Sequence, residues 1–102
     1  MPPITFNDWD LESNVSDAIK GMGWEEPTQI QVESIPVARR GKDVVGQART
    51  GSGKTAAFGI PIIESCKPDG SLQSLVLCPT RELAVQVAEE MSKLQGKKSL
   101  KI

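Results

Sequence analysis

Residues 48 to 55 read Ala48-Arg49-Thr50-Gly51-Ser52-Gly53-Lys54-Thr55, and no other stretch restricts the fold as much. Two glycines within three positions allow left-handed backbone angles that residues with a side chain avoid. The segments on either side differ in kind. Asp43-Val44-Val45-Gly46-Gln47 has the composition of a short strand, weakened by Gly46. Lys54 to Ser65 carries Ala56, Ala57, Phe58, Ile60, Ile62 and Ile63, so it reads as a helix apolar on nearly every side, with a bend expected at Pro61. Strand, tight turn and buried helix are the expectation for this region.

The rest of the chain extends that pattern. Leu11, Val15, Ile19 and Met22 recur at helical spacing behind Asp10, a candidate N-cap, and Gly21 and Gly23 mark the end. A second helix opens at Thr28, where Thr28 and Gln31 have capping-box spacing, and closes at Gly41, with Pro36 expected to kink or interrupt it. Leu75-Val76-Leu77-Cys78 is an uninterrupted apolar run of the kind buried on both faces of a parallel sheet. A helix from Thr80 to Leu94 places Leu83, Val87, Met91 and Leu94 on one stripe, and the tail 97–102 begins a further strand. Alternating strands and helices predict an α/β unit with a parallel sheet flanked by helices.

Composition bounds what such a unit can do. At 102 residues the chain is sized for a single core. Its two cysteines, Cys66 and Cys78, form no metal-ligand spacing, and the absence of histidine removes the usual zinc sites and a Cys/His nucleophile pair. They read as reduced thiols of a cytoplasmic protein. No apolar run has the roughly 18 residues a membrane span needs. Net charge is −1, divided into −3 over residues 1–42 and +2 over residues 43–102. A polyanion would meet the second half. The tract Arg39-Arg40-Gly41-Lys42 reads as a solvated loop rather than a polyanion contact.

The octapeptide fits the phosphate-loop pattern except that Ala48 stands at the first glycine. Gly51 and Gly53 permit inward-facing N–H groups, and the helix start behind them adds partial positive charge. Thr50 and Ser52 complete the loop, Lys54 has the reach for β- and γ-phosphates, and Thr55 offers a hydroxyl to Mg2+. The plainer alternative is a Gly/Ser turn with an exposed lysine.

Two flanking segments add to this. Gly23-Trp24-Glu25-Glu26-Pro27-Thr28-Gln29-Ile30-Gln31, with Phe6 seventeen residues upstream, resembles the Q motif of the DEAD-box RNA helicases. Residues 48–55 resemble the same family's motif I, in which alanine at the first position is usual. Pro79-Thr80-Arg81-Glu82-Leu83-Ala84 resembles its motif Ia. The resemblance implies a P-loop NTPase fold of RecA-like type, with residues 1–102 the N-terminal half of the first RecA-like domain and the sheet incomplete. It implies ATP and Mg2+ as cofactors, with Phe6, Trp24, Thr28, Gln31, Ala48, Thr50, Gly51, Ser52, Gly53, Lys54 and Thr55 around the nucleotide. Lys54 and Thr55 are the catalytic candidates.

A glutamine amide can pair with adenine N6 and N7, an edge guanine does not present. From the residues alone, Thr28 and Gln31 also suit a plain helix cap and Trp24 a core position. The resemblance further implies sequence-independent contacts from Pro79, Thr80 and Arg81 to an RNA backbone, while a Pro-Thr start is equally an ordinary N-cap. The family's Asp-Glu-Ala-Asp and Ser-Ala-Thr motifs are absent from these residues. The expectation is a part of an ATP-dependent RNA helicase that does not turn over ATP alone and can self-associate through an open sheet edge. A non-catalytic nucleotide-binding or structural module, or another P-loop ATPase, are the alternatives.

Overall fold

The computed structural model describes residues 5–46, 53–69 and 71–102. A 3-10 turn spans Phe6–Trp9, followed by α1 (Ser13–Gly21), α2 (Gln29–Arg39), α3 (Lys54–Ser65) and α4 (Arg81–Leu94). The apolar pattern of α3 explains its place. It packs against both α2 and α4, while α1 closes on α4.

Val15, Ile35, Ile60 and Leu94 are fully buried, and Ile19 and Ile63 nearly so. Each such side chain contributes roughly 1.5–3 kcal/mol from its removal from water. Gly59 faces α4, where a Cβ would touch Met91 Cγ at 3.5 Å and Leu94 Cδ1 at 3.6 Å, so the approach of the two helices does not depend on a glycine. Those are ordinary contact distances.

Several expectations are corrected. The first helix starts at Ser13 rather than Leu11, and its N-cap is Glu12, not Asp10. Asp10 instead takes a left-handed backbone with φ 51°. Pro36 does not interrupt α2, which runs on to Arg39, and Pro61, the site of the expected bend, lies inside a continuous α3. Each proline removes one backbone donor, and the buried neighbours Ile35, Ile60 and Ile63 hold the helices together. Helix α4 matches the expectation with Thr80 as N-cap, although Leu83 at its start is 39% exposed.

The larger correction concerns the sheet. Among the described residues no strand forms. Residues 43–46 and 72–78 run without regular structure, with Val45 96%, Leu75 75% and Leu77 83% exposed. A parallel strand depends on neighbouring strands for its ladder and on helices for both faces. Among the described residues only Cys78 of the second run is half-buried against the core. The tail is likewise no strand: Ser99 has φ 66°, and Leu100 is held by the Gln95 amide, which accepts its N–H at 2.6 Å and donates to its carbonyl at 3.2 Å.

Candidate functional site

Helix α2 begins at a capping box. Thr28 is extended, and its N–H donates to Gln31 Oε1 at 2.9 Å. This fixes the Gln31 side chain, which is 2% exposed, so that Nε2 donates to the carbonyl of Gly53 at 3.1 Å. A glutamine read as either cap or base reader is here a cap that also reaches across 22 positions to the start of α3. One amide hydrogen and one carbonyl lone pair remain to it.

Gly53 is the N-cap of α3, with φ 87° and no side chain to satisfy the first N–H groups. A Cβ at this position would lie 2.5 Å from Gln31 Nε2 and 2.9 Å from Thr28 Oγ1. Uncapped helix N–H groups carrying partial positive charge suit an anion. Beside them Lys54 is exposed and joins no ion pair among the described residues, and Thr55 is half-buried. The donor set thus fits a polyphosphate, and a lone hydroxyl fits a hard cation such as Mg2+ that keeps most of its own waters.

The aromatic residues stand beside this. Phe6 is 6% exposed and stacks on Trp24 with centroids 6.4 Å apart and planes at 26°. Its edge relation to Trp9 is T-shaped, at 5.8 Å and 83°. A cleft of about 900 Å³ collects Phe6, Trp24, Thr28, Gln31, Gly53, Lys54 and Thr55 in one lining. That volume is at the upper end for small-molecule sites. Sequence reasoning missed Glu26, Phe58 and Glu90, which share the lining. Only the position of Glu26 inside the Gly23–Gln31 segment was a signal for it.

Of the expected polyanion contacts, Pro79 also lines the cleft, whereas Thr80 and Arg81 do not. Thr80 Oγ1 accepts the Leu83 N–H at 3.1 Å, which is the ordinary N-cap, and Arg81 is exposed. Ala48, Thr50, Gly51 and Ser52 lie outside the described residues. Arg40, Gly41 and Lys42 are exposed beyond the end of α2, as the solvated-loop reading expects, but Arg39 is the last residue of the helix. It donates to the Trp9 carbonyl and pairs with Glu64 at 2.9 Å.

Comparison with known proteins gives the class. Residues 28–102 match the family model described as DEAD/DEAH box helicase, and the chain belongs to that family. It is 51% identical over 100 residues to the DEAD-box ATP-dependent RNA helicase CshA of Bacillus subtilis, covering 97% of this chain and 20% of that protein. Among solved structures it resembles a DEAD box protein from the hyperthermophile Methanococcus jannaschii, with TM-score 0.87, 46% identity and coverage of 92% of this chain and 26% of that one. It also resembles a hypothetical ATP-dependent RNA helicase from Sulfolobus tokodaii, with TM-score 0.74, 43% identity and coverage of 82% and 24%. The chain therefore spans about a fifth to a quarter of the length of these relatives.

Proposed function

We propose that this chain is the nucleotide-holding part of an ATP-dependent RNA helicase, covering the N-terminal half of the first RecA-like domain, with the Q motif at 23–31, motif I at 48–55 and motif Ia at 79–84. The observation that carries this reading is the single cleft joining three separate segments, with Gln31 bonded to Gly53 between the aromatic wall and the start of α3. Phe6 and Trp24 give the base an apolar wall, and Thr28 and Gln31 offer hydrogen bonds at its edge. Uncapped N–H groups of α3, Lys54 and the loop residues Ala48, Thr50, Gly51 and Ser52 hold the phosphates. Thr55 holds Mg2+ through its hydroxyl. Bound metal supplies charge neutralisation for phosphoryl transfer.

Pro79, Thr80 and Arg81 hold an RNA backbone without reading its sequence, supported by an exposed arginine at a helix N-terminus. Residues 43–47, 75–78 and 97–102 complete their parallel sheet when strands of the whole domain lie beside them. The 102 residues include no Asp-Glu-Ala-Asp stretch to activate water, so the chain alone binds ATP without hydrolysing it. The whole helicase couples hydrolysis to local opening of RNA duplexes.

Titration with a fluorescent adenosine triphosphate in the presence of Mg2+ tests the reading. Saturable binding that ATP displaces better than GTP, abolished by Lys54→Ala, is the expected result. Equal displacement by both nucleotides leaves a generic phosphate-loop protein, and no binding rejects the reading.

A further inference from the structure

Four side chains and backbone groups from separate elements converge where the 3-10 turn passes into α1. Arg39, at the last turn of α2, donates through Nη1 to the Trp9 carbonyl and through Nη2 to the Asp10 carbonyl at 3.5 Å. Its Nε stands 2.9 Å from Glu64 Oε1 in the last turn of α3, the two side chains being 32% and 12% exposed. Glu64 Oε2 accepts the Glu12 N–H at 3.0 Å. Lys98 closes the cluster, 2.8 Å from Glu12 Oε1 and 2.5 Å from the Ile63 carbonyl.

The segment from residue 9 to residue 12 is thus held from α2, from α3 and from the segment that follows α4. Asp10 within it keeps φ 51°, a conformation that a non-glycine residue retains only when its surroundings over-determine it. Immediately upstream is Phe6, in contact with both tryptophans of the chain, Trp9 and Trp24.

We infer that Arg39 and Glu64 are positioning residues that fix the Phe6–Trp24 wall against the base of a bound nucleotide. This rests on the proposed nucleotide site. Neither residue lines that cleft, so their effect passes through the backbone at Trp9 and Asp10. Helix α3 is the common support. Its first turn carries Lys54 and Thr55, its last carries Glu64, and over 12 residues, about 18 Å, it sets the distance between the phosphate end and the anchor of the aromatic wall. An arginine guanidinium can donate to two carbonyls from Nη1 and Nη2 while its charge stands beside a carboxylate, which a lysine ammonium on a flexible stem cannot reproduce.

Adenosine triphosphate and inorganic tripolyphosphate, titrated in parallel on the full chain and its variants, separate this from a merely stabilising ion pair. Arg39→Ala is expected to weaken ATP binding about tenfold while tripolyphosphate, which meets only the phosphate end, binds within about twofold of wild type. Near-ultraviolet circular dichroism, dominated by Trp9 and Trp24, changes in the variant while the far-ultraviolet helix signal does not. Arg39→Lys fails to restore ATP affinity. Glu64→Gln, which keeps the acceptor for the Glu12 N–H but loses the charge, falls between and carries the test if Arg39→Ala does not fold. Wild type binding neither ligand overturns the proposed site and this inference with it. Wild type binding both, with ATP affinity unchanged in Arg39→Ala and Glu64→Gln or with both ligands weakened in parallel, overturns the inference alone.

Discussion

Gly53 has no room for a side chain and no conformation for one. A Cβ would meet the Gln31 amide and the Thr28 hydroxyl below 3 Å, and φ is 87°. Gly53→Ala is expected to cost about 1–3 kcal/mol from backbone strain, with the displacement of Gln31 in addition. Urea denaturation reads the stability loss, and nucleotide titration reads the loss of binding that should accompany it. Gln31→Ala acts differently. It removes a buried amide and leaves the Gly53 carbonyl and the Thr28 N–H without partners, at about 1–3 kcal/mol. If Gln31 only caps a helix, ATP-over-GTP preference survives that loss; its disappearance marks a base-reading role. At this scale the sequence was informative but incomplete. Capping-box spacing located Thr28 and Gln31, and the glycine pattern located Gly53, yet nothing local could show that residues 22 apart share a hydrogen bond. Arg39 and Glu64, separated by 25 positions, gave no signal for the same reason.

Helix α3 is the element whose character was most legible, because an apolar pattern on all sides has few places to go except between two other helices. Gly59 faces α4 at ordinary contact distance, so Gly59→Ala is expected to stabilise by up to about 1 kcal/mol through helix propensity. A fall in stability instead would show that the α3–α4 seam cannot yield by a few tenths of an ångström. Ile60→Ala on the same helix should cost about 2–5 kcal/mol, since Ile60 is fully buried. Between α3 and α4, the Asp69 carboxyl accepts from the Ser71 hydroxyl at 2.5 Å and from the Ser71 N–H at 2.9 Å, which holds it below the ordinary carboxylate range. Its contribution is present above the unfolded pKa and is lost as pH falls through the lowered folded value. The amide resonance of Ser71 followed against pH should therefore titrate below free aspartate. Element boundaries failed where tertiary contacts decide them: Glu64 takes the Glu12 N–H, and the first helix starts two residues late.

Over the whole molecule, helices were legible and strands were not, for a physical reason. An α-helix satisfies its own backbone, whereas a strand borrows its hydrogen bonds from neighbours distant in sequence. Leu75-Val76-Leu77-Cys78 has the composition of a buried parallel strand, and in this chain Leu75 and Leu77 stand largely in solvent at the wall of the nucleotide cleft, while Val76 also lines an apolar groove with Ile63, Val87, Met91 and Leu100. Exposed apolar backbone with open donors and acceptors is a template for pairing with another chain. The isolated chain is therefore expected to associate with itself, its mass by light scattering rising with concentration. Leu75→Lys with Leu77→Lys places charge on that edge without touching the buried core, and should return the chain to a monomer with its helix content intact. Lys54→Ala serves as the control, since it alters the cleft that Leu75 and Leu77 also line but leaves the 72–78 segment uncharged, and should leave association unchanged. A wild-type chain that remains monomeric at its highest soluble concentration would mean that the 72–78 segment folds back on its own groove, and association would then play no part in covering it.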